Sequence, residues 1–151
     1  MSISLKWTPE WKKLEKQLEK LSDLETVAGY KQGAATEPGG SDVCTVAAIN
    51  EFGTDSRPSR PFMRNGISNN IDNIAKEVQT NARQFMSGKG NAEDMLENVG
   101  EIMKKSMIDE AKTGNFAPND VDEGIAGPLQ DTGTMLASME SKVRKKGSDA
   151  W

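Results

Sequence analysis

Residues 67–114, ISNNIDNIAKEVQTNARQFMSGKGNAEDMLENVGEIMKKSMIDEAKTG, decide the fold because they contain two amphipathic patterns. In the first pattern, apolar residues recur at helical spacing at Ile67, Ile71, Ile74, Val78, Ala82 and Phe85, which is typical of one face of a long helix. A glycine-rich turn ends this helix, and Asn91 is a favoured residue for capping a second one. The second stripe comprises Met95, Val99, Ile102, Met103 and Met107. The stretch therefore predicts two long amphipathic helices.

A further helix is predicted near the N-terminus, at about residues 8–26. It begins at Thr8, Pro9 and Glu10, since threonine caps helices, proline fits the first helical position and glutamate favours the positive end of the helix dipole. An apolar seam with heptad-like spacing runs along it, formed by Trp7, Trp11, Leu14, Leu18 and Leu21. This seam packs either on the subunit's own core or on a neighbouring subunit, and the sequence leaves both alternatives open.

The segments between these helices predict short strands and turns. Residues 27–32 predict a strand, and residues 33–42 predict a glycine-rich loop. Residues 43–46 predict a second strand that runs into a helical turn, which Gly53 ends as a left-handed cap. Prolines keep the segment before Phe62 extended, and Phe62 is predicted to be a buried hydrophobic plug.

The C-terminal part predicts a long loop over 115–130, a short capped helix over 131–139 and a closing strand over 140–145. The last residues, about 144–151, are predicted to form a flexible basic end. Lys142, Arg144, Lys145 and Lys146 supply its positive charge. This end is either a solvated tail or a contact for DNA or an acidic neighbour.

The residue counts exclude several classes of metal-binding and catalytic site. The length of 151 residues corresponds to a single domain spanning 1–151. The chain has no His and one Cys, so it cannot form a His/Cys zinc site, a His-bound haem, an iron–sulfur cluster, an internal disulfide or a His-dependent catalytic triad. The sequence therefore predicts no catalytic residues, no metal and no cofactor, and the chain is not predicted to be an enzyme.

One short motif has an enzymatic alternative. Asp131, Thr132 and Gly133 form the Asp-Thr-Gly signature of aspartic proteases, in which two such aspartates share a proton. A single copy would require a homodimer, and residues 127–130 before it contain one aliphatic residue. We therefore interpret Asp131 as an acceptor for backbone N–H groups at a helix start.

The charge and the apolar content bear on possible partners. The net charge of −4 argues against a protein that grips duplex DNA by its phosphates. No apolar run is long enough to cross a membrane, so no membrane partner is predicted. The hydrophobic residues make up 35% of the chain, which favours a domain that completes its core against copies of itself. The first residues lack the layout of a secretion signal.

Three segments, in order, resemble the tail-completion and neck proteins of tailed bacteriophages, including the virion-morphogenesis group. They are VAAINEFGT at 46–54, RPFMR at 60–64 before a long helix, and PLQDTG at 128–133 followed by MLASM at 135–139. Those proteins commonly show an Asn-Glu-Phe-Gly-Thr stretch, an Arg-Pro-Phe stretch and a C-terminal Asp-Thr-Gly stretch. The resemblance covers about residues 43–143.

The resemblance implies an α+β subunit, with a small, mostly antiparallel sheet packed against the two long amphipathic helices, plus the N-terminal helix. It also implies a homo-oligomeric ring, most often a hexamer, at the head-proximal end of the tail and needed for head–tail joining. The implied partners are neighbouring neck, portal-connector or tail proteins, and DNA that passes through the lumen without sequence-specific binding. The expected location is the virion, after assembly in the host cytoplasm.

Together with the N-terminal seam, these motifs define the candidate structural or interface residues: Trp7, Trp11, Leu14, Leu18, Glu51, Phe52, Gly53, Arg60, Pro61, Phe62, Asp131, Thr132 and Gly133. We expect a monomer or weak oligomer when the protein is free and a closed ring in the virion. Two alternatives remain open. One is a tail terminator, a tail-tube protein or another minor tail protein, and the other is a nucleic-acid-binding accessory protein.

Overall fold

The fold combines helices with a two-stranded antiparallel sheet, so the predicted α+β class is confirmed. The computed structural model describes residues 7–117, 129 and 133–149. Within these residues the elements are α1 (Pro9–Ser22), β1 (Leu24–Gly29), α2 (Val43–Phe52), α3 (Phe62–Asn69), α4 (Ile71–Met86), α5 (Ala92–Thr113), α6 (Thr134–Ala137) and β2 (Glu140–Lys145).

Helix α5 lies at the centre of the fold, because α1, α3, α4 and both strands contact it. Asn91 caps it as predicted, since the Asn91 Oδ1 atom accepts a hydrogen bond from the Asp94 N–H at 3.0 Å. Its packing on α3 is close: a Cβ atom added at Gly66 would lie 2.7 Å from the Cα atom of Met107. The missing side chain of Gly66 therefore allows the two backbones to touch.

The sheet joins the two ends of the described chain. Leu24 of β1 lies opposite Lys145 of β2, and Gly29 lies opposite Glu140. The predicted closing strand is therefore confirmed. The predicted strand at 27–32 lies instead at Leu24–Gly29, because its limits are set by pairing with a distant strand rather than by its own sequence.

The first predicted long helix is present as α4, but it begins at Ile71 rather than at Ile67, and a separate helix, α3, precedes it. α3 begins at Phe62, and Asn70 separates it from α4 with φ −112° and ψ 11°. The Nδ2 atom of Asn70 donates a hydrogen bond to the Gly66 carbonyl at 2.9 Å, and such side-chain bonds compete with regular helix geometry. The change of direction leaves Ile71 exposed, while Ile74 and Phe85 are buried as predicted.

The strand predicted at 43–46 is also wrong, since these residues form the first turn of α2. Its β-branched valines and threonine favour a strand, but the residue before them decides the structure. Asp42 is the N-cap: its Oδ2 atom accepts from the Thr45 N–H at 3.3 Å, and its Oδ1 atom accepts from the Gly33 N–H at 2.8 Å. A capping carboxylate outweighs the propensity of the following residues.

The N-terminal helix is present, although it is shorter than the predicted 8–26. Thr8 caps α1 as predicted, with its hydroxyl accepting from the Trp11 N–H at 3.3 Å. The helix ends at Ser22 because the chain enters the sheet at Leu24. No residue of α1 is buried, so this helix contributes little to the core of its own subunit.

The core lies between α2, α3, α5 and the C-terminal segment. Its buried members are Val43, Ala47, Phe62, Met107, Ala111, Leu129, Met135, Leu136 and Met139. Phe62 is 0% exposed, which confirms the predicted plug, and its ring contacts the Tyr30 ring at an angle of 66°. The core thus brings together residues from all three motif segments.

Candidate functional site

The segments that carry the family resemblance meet where α2 ends and α3 begins. We call this place the motif junction and define it by Asn50, Glu51, Gly53, Arg60 and Arg64. The junction holds two motif segments together through hydrogen bonds between named side chains and backbone groups. The third segment reaches it through α6.

Glu51 caps a helix that it does not belong to. Its side chain is buried, with the residue 1% exposed. Its Oε2 atom accepts from the Met63 N–H at 2.9 Å, and its Oε1 atom accepts from the Arg64 N–H at 3.2 Å. The residue at the N-cap position of α3 is Pro61, which forms no side-chain cap. Glu51 therefore satisfies two N–H groups that α3 cannot satisfy within itself.

The Glu51 charge is paired with a cation at the surface. The Nε atom of Arg64 donates to Glu51 Oε1 at 2.8 Å, and its Nη2 atom donates to the Glu51 carbonyl at 3.0 Å. The Arg64 guanidinium also lies over the Phe52 ring, at 5.4 Å from the ring centroid. Phe52 itself is 69% exposed, so this cation–π pair forms an outward-facing surface.

Arg60 joins α2 to the segment after α5. Its Nη1 atom donates to Asn50 Oδ1 at 3.1 Å, and its Nε atom donates to the Ala117 carbonyl at 2.8 Å. Its backbone N–H donates to the Asn50 carbonyl at 2.6 Å. Arg60 is buried, and a buried arginine must have such partners. This residue therefore fixes the loop between α2 and α3.

Gly53 occupies a backbone conformation that only glycine adopts without strain. Its φ of 74° is positive, as the prediction of a cap requires, but its ψ of −179° is extended rather than left-handed helical. The residue still ends α2, because its N–H donates to the Ile49 carbonyl at 2.8 Å. A Cβ atom there would lie 2.8 Å from the Ser59 nitrogen. The loop therefore packs against the glycine itself.

The third motif segment also contacts the junction. The Asn50 Nδ2 atom lies 3.9 Å from the sulfur of Met135, and Leu136 and Met139 belong to the same core as Phe62. Gly133 precedes α6 with φ 72° and ψ −11°. Asp131 and Thr132 lie outside the described residues, and so does the predicted capping role of Asp131.

The N-terminal seam is largely turned to solvent. Trp7 and Trp11 stack with their ring centroids 5.1 Å apart, yet they are 55% and 43% exposed. Leu18 is also exposed, and Leu14 is half-buried. The sequence left open whether this seam packs on the subunit's own core or on a neighbouring subunit. Packing on its own core involves only one side of the helix.

Part of the positive charge of the basic C-terminal residues is paired with acidic side chains within the fold. Arg144 belongs to β2, and its Nε atom donates to Glu25 Oε1 at 2.9 Å. A cleft of about 530 Å³ is lined by β2 and by acidic residues of α5, among them Glu93 and Glu101. The hydrogen bond from Lys20 lowers the pKa of Glu93, and that from Lys104 lowers the pKa of Glu101.

The described residues offer little that resembles a reaction centre. Among them, no group of three or more His, Cys, Asp or Glu side chains could hold a metal ion. The buried carboxylate of Glu51 is occupied by a helix start and an arginine. The Tyr30 hydroxyl is buried with no hydrogen-bond partner among the described residues, and burial raises the pKa of this phenol. No described helix is long and apolar enough to span a membrane.

Sequence reasoning selected Glu51, Gly53, Arg60, Pro61 and Phe62, and the structure brings them together. Asn50 and Arg64, which complete the junction, were not among the candidate residues, although the arginines at 57, 60 and 64 were expected to pair with nearby acidic groups and Arg64 pairs with Glu51. Asn50 and Arg64 both lie inside the quoted motif segments. The partner of a polar side chain can be distant in the sequence, and the residues next to that side chain do not indicate which partner it has.

Comparisons with known proteins identified no relative of this chain. A scan against protein-family models and searches of curated proteins and of solved structures found no match to this chain.

Proposed function

We propose that this chain is a structural virion protein of a tailed bacteriophage. In this proposal it is a tail-completion or neck protein, and it forms a ring at the head-proximal end of the tail that is needed for head–tail joining. The ring is most often a hexamer in the proteins that the chain resembles. Neighbouring neck, portal-connector or tail proteins would flank it, and DNA would pass through its lumen without sequence-specific binding.

One observation supports the proposal above all: the three resembling segments form one structural unit. Glu51 binds the start of α3, Arg60 binds Asn50, and Met135 lies against Asn50 from the C-terminal segment. The first two segments are close in the sequence and would lie near each other in any case, so the informative contact is that of Met135 with Asn50, 85 positions apart. The convergence of the segments supports treating them as one signature whose members depend on each other.

The surface of the subunit is consistent with assembly rather than with tight DNA binding. The net charge is −4, and a negative lumen would let DNA slide rather than adhere. Two separate apolar surfaces are exposed, one on α1 and one around Phe52. Exposed apolar surfaces of this kind mark contacts with other proteins.

Deletion of the gene from the phage that encodes it tests this proposal. We expect filled heads and complete tails that do not join, and rescue by the wild-type gene supplied in trans. The matched variant is Glu51→Ala, which should rescue poorly because it loosens the motif junction. Particles that join normally without the gene would contradict the proposal.

A nucleic-acid-binding accessory protein is the rival that the basic strand β2 favours, because Lys142 and Lys145 are exposed there. A DNA shift assay across salt concentrations separates the two. The proposed structural role predicts weak binding, whereas tight binding that falls steeply with salt would favour the rival.

A further inference from the structure

Both outer edges of the two-stranded sheet are open in the part of the chain that the structure describes. The sheet has the order β1–β2, so each strand uses one side for the internal ladder and no described strand lies on its other side. An open edge presents a row of unpaired N–H and C=O groups, which are a template for pairing with another strand. The two edges are therefore candidate contacts for a second polypeptide.

The phase of the ladder shows which main-chain groups point outwards. The Lys146 N–H donates to the Asp23 carbonyl at 2.8 Å, and Leu24 lies opposite Lys145 in the next pair. Hydrogen-bonded and non-hydrogen-bonded pairs alternate along an antiparallel ladder. The residues whose main-chain groups point outwards are therefore Leu24, Thr26 and Ala28 on β1 and Ser141, Val143 and Lys145 on β2.

Nearly all of these outward main-chain groups lack a hydrogen-bond partner among residues 7–117, 129 and 133–149. The exception is the Lys145 carbonyl, which accepts from the Ser148 N–H at 3.0 Å. A cleft of about 530 Å³ is lined by five consecutive residues of β2, from Ser141 to Lys145. The edge of β2 therefore borders open space.

The edges define the kind of partner that fits them. An extended polypeptide repeats its outward donors and acceptors every two residues, about 6.7 Å, and so it can pair with such an edge along its whole length. This chain itself carries two edges of that kind, each on a strand of six residues. We infer that the outer edge of β1 in one copy pairs, antiparallel, with the outer edge of β2 in a second copy, so that the sheet continues from one subunit into the next.

The side chains of the two strands favour this pairing over a pairing of two β2 edges. If the new ladder repeats the internal register, Glu25 of one copy lies opposite Arg144 of the next, and the two residues already pair within the subunit at 2.9 Å. No like charges lie directly opposite each other in this register. Two β2 edges paired about Val143 would instead place Lys142 opposite Arg144, and like charges in that position are destabilising.

The cleft beside β2 suits the side chains that β1 would bring into it. Thr26 faces α5, since a Cβ atom at Gly100 would lie 2.6 Å from its Oγ1 atom, and alternate residues of a strand share a face. In the continued sheet, the side chains on the α5 side of the added strand are therefore the uncharged Leu24, Thr26 and Ala28. The glutamates that line the other wall of the cleft, Glu93, Glu97 and Glu101, meet no like charge from that strand.

The alternative of two paired β1 edges would leave both β2 edges open. The β1–β2 contact joins different edges, so it is head-to-tail, and each further copy adds in the same way. A closed series of such contacts leaves no open edge. The inference thus deepens the proposed function, on which the place of the contact in a ring rests, by assigning the surface that joins neighbouring subunits.

Disulfide trapping between two single-cysteine chains tests the inference. Both chains carry Cys44→Ser; one adds Val27→Cys and the other adds Lys142→Cys, with a size tag on one of them. In the inferred ladder these positions form a non-hydrogen-bonded pair, in which opposite Cα atoms lie about 4.5 Å apart, within the range of a disulfide. The control replaces Lys142→Cys with Thr80→Cys, an exposed position of α4. Mild oxidation should give about tenfold or more mixed disulfide with Lys142→Cys than with Thr80→Cys.

A mixed disulfide would also form if two copies exchanged β1 strands within their internal ladders, and hydrogen exchange of the trapped dimer by NMR separates the two cases. One chain is isotope-labelled at a time. Edge pairing forms new hydrogen bonds at the outward amides, which should exchange about tenfold or more slowly than in the reduced monomers. Those amides are Thr26 and Ala28 in the Val27→Cys chain and Ser141 and Val143 in the Lys142→Cys chain. The inward amides of Glu25 and Arg144 are the control, because the internal ladder binds them in both states.

Three results would overturn the inference. The first is a mixed disulfide with Lys142→Cys that is no more abundant than with Thr80→Cys. The second is a preference of the Val27→Cys chain for its own copies, which would indicate pairing of two β1 edges. The third is unchanged exchange of the outward amides in the trapped dimer, which would indicate strand exchange. None of these results depends on the virion, so a failure here is distinguishable from a failure of the proposed function.

Discussion

Removing the Glu51 carboxylate should destabilise the subunit through the start of α3 rather than through its ion pair. In Glu51→Ala the N–H groups of Met63 and Arg64 lose their acceptors at 2.9 and 3.2 Å. Loss of a helix cap costs about 0.5–2 kcal/mol, and each hydrogen bond to a charged group contributes about 1.5–3 kcal/mol. The lost ion pair adds little in this variant, because the Arg64 guanidinium is exposed and is then solvated by water.

Relief of the cost of burying the carboxylate offsets part of these losses. We therefore expect Glu51→Ala to lower the free energy of unfolding by about 2–3 kcal/mol. Glu51→Gln keeps one acceptor oxygen and should cost about half as much. Arg64→Ala leaves both backbone hydrogen bonds in place but takes the cation away from a buried carboxylate, so it should cost about 1–2 kcal/mol, less than Glu51→Ala. A larger loss in Glu51→Ala than in Arg64→Ala, with Glu51→Gln between wild type and Glu51→Ala, is the signature of a capping role.

Urea denaturation of the purified subunit measures these changes, and Glu77→Ala on the surface of α4 is the control, expected within about 0.5 kcal/mol of wild type. Equal losses in Arg64→Ala and Glu51→Ala would refute the reasoning, because they would make the ion pair the main contribution. A loss below about 0.5 kcal/mol in Glu51→Ala would also refute it.

Three further changes probe the junction and core. Gly53→Val should lower the free energy of unfolding by more than about 1 kcal/mol, because φ is positive and the Ser59 nitrogen is close. The control Gly39→Ala, with open space around the glycine, should leave the melting temperature nearly unchanged. Equal melting temperatures of the two variants would contradict this role of Gly53. Phe62→Ala should cost about 3–5 kcal/mol, and Phe52→Ala, at an exposed position, should cost far less in the same denaturation series. Tyr30→Phe should be neutral or slightly stabilising, because the buried hydroxyl has no partner among the described residues; a clear loss of stability on calorimetry would show that it has one.

The sequence was informative where structure follows from local chemistry. The caps at Thr8 and Asn91, the long α5 helix and the burial of Phe62 all followed from residue type and spacing. Helix capping and amphipathic spacing act within a few residues, so they are visible in a single sequence.

The errors occurred where a distant or competing contact decides the structure. The first turn of α2 has strand-favouring residues, but the Asp42 carboxylate makes it helical. The Asn70 side chain divides a helix whose apolar spacing is continuous. Glu51 was selected as a structural or interface candidate, but its capping partners, twelve and thirteen positions away, were not predicted. The pattern of neighbouring residues in the sequence does not predict such long-range contacts.

The most direct test of the central claim is a reconstruction of the virion by electron cryomicroscopy. We expect a closed ring of this chain at the head-proximal end of the tail, in contact with neck or tail proteins on both sides. Scattered single copies, or copies located along the tail tube or in the baseplate, would contradict it.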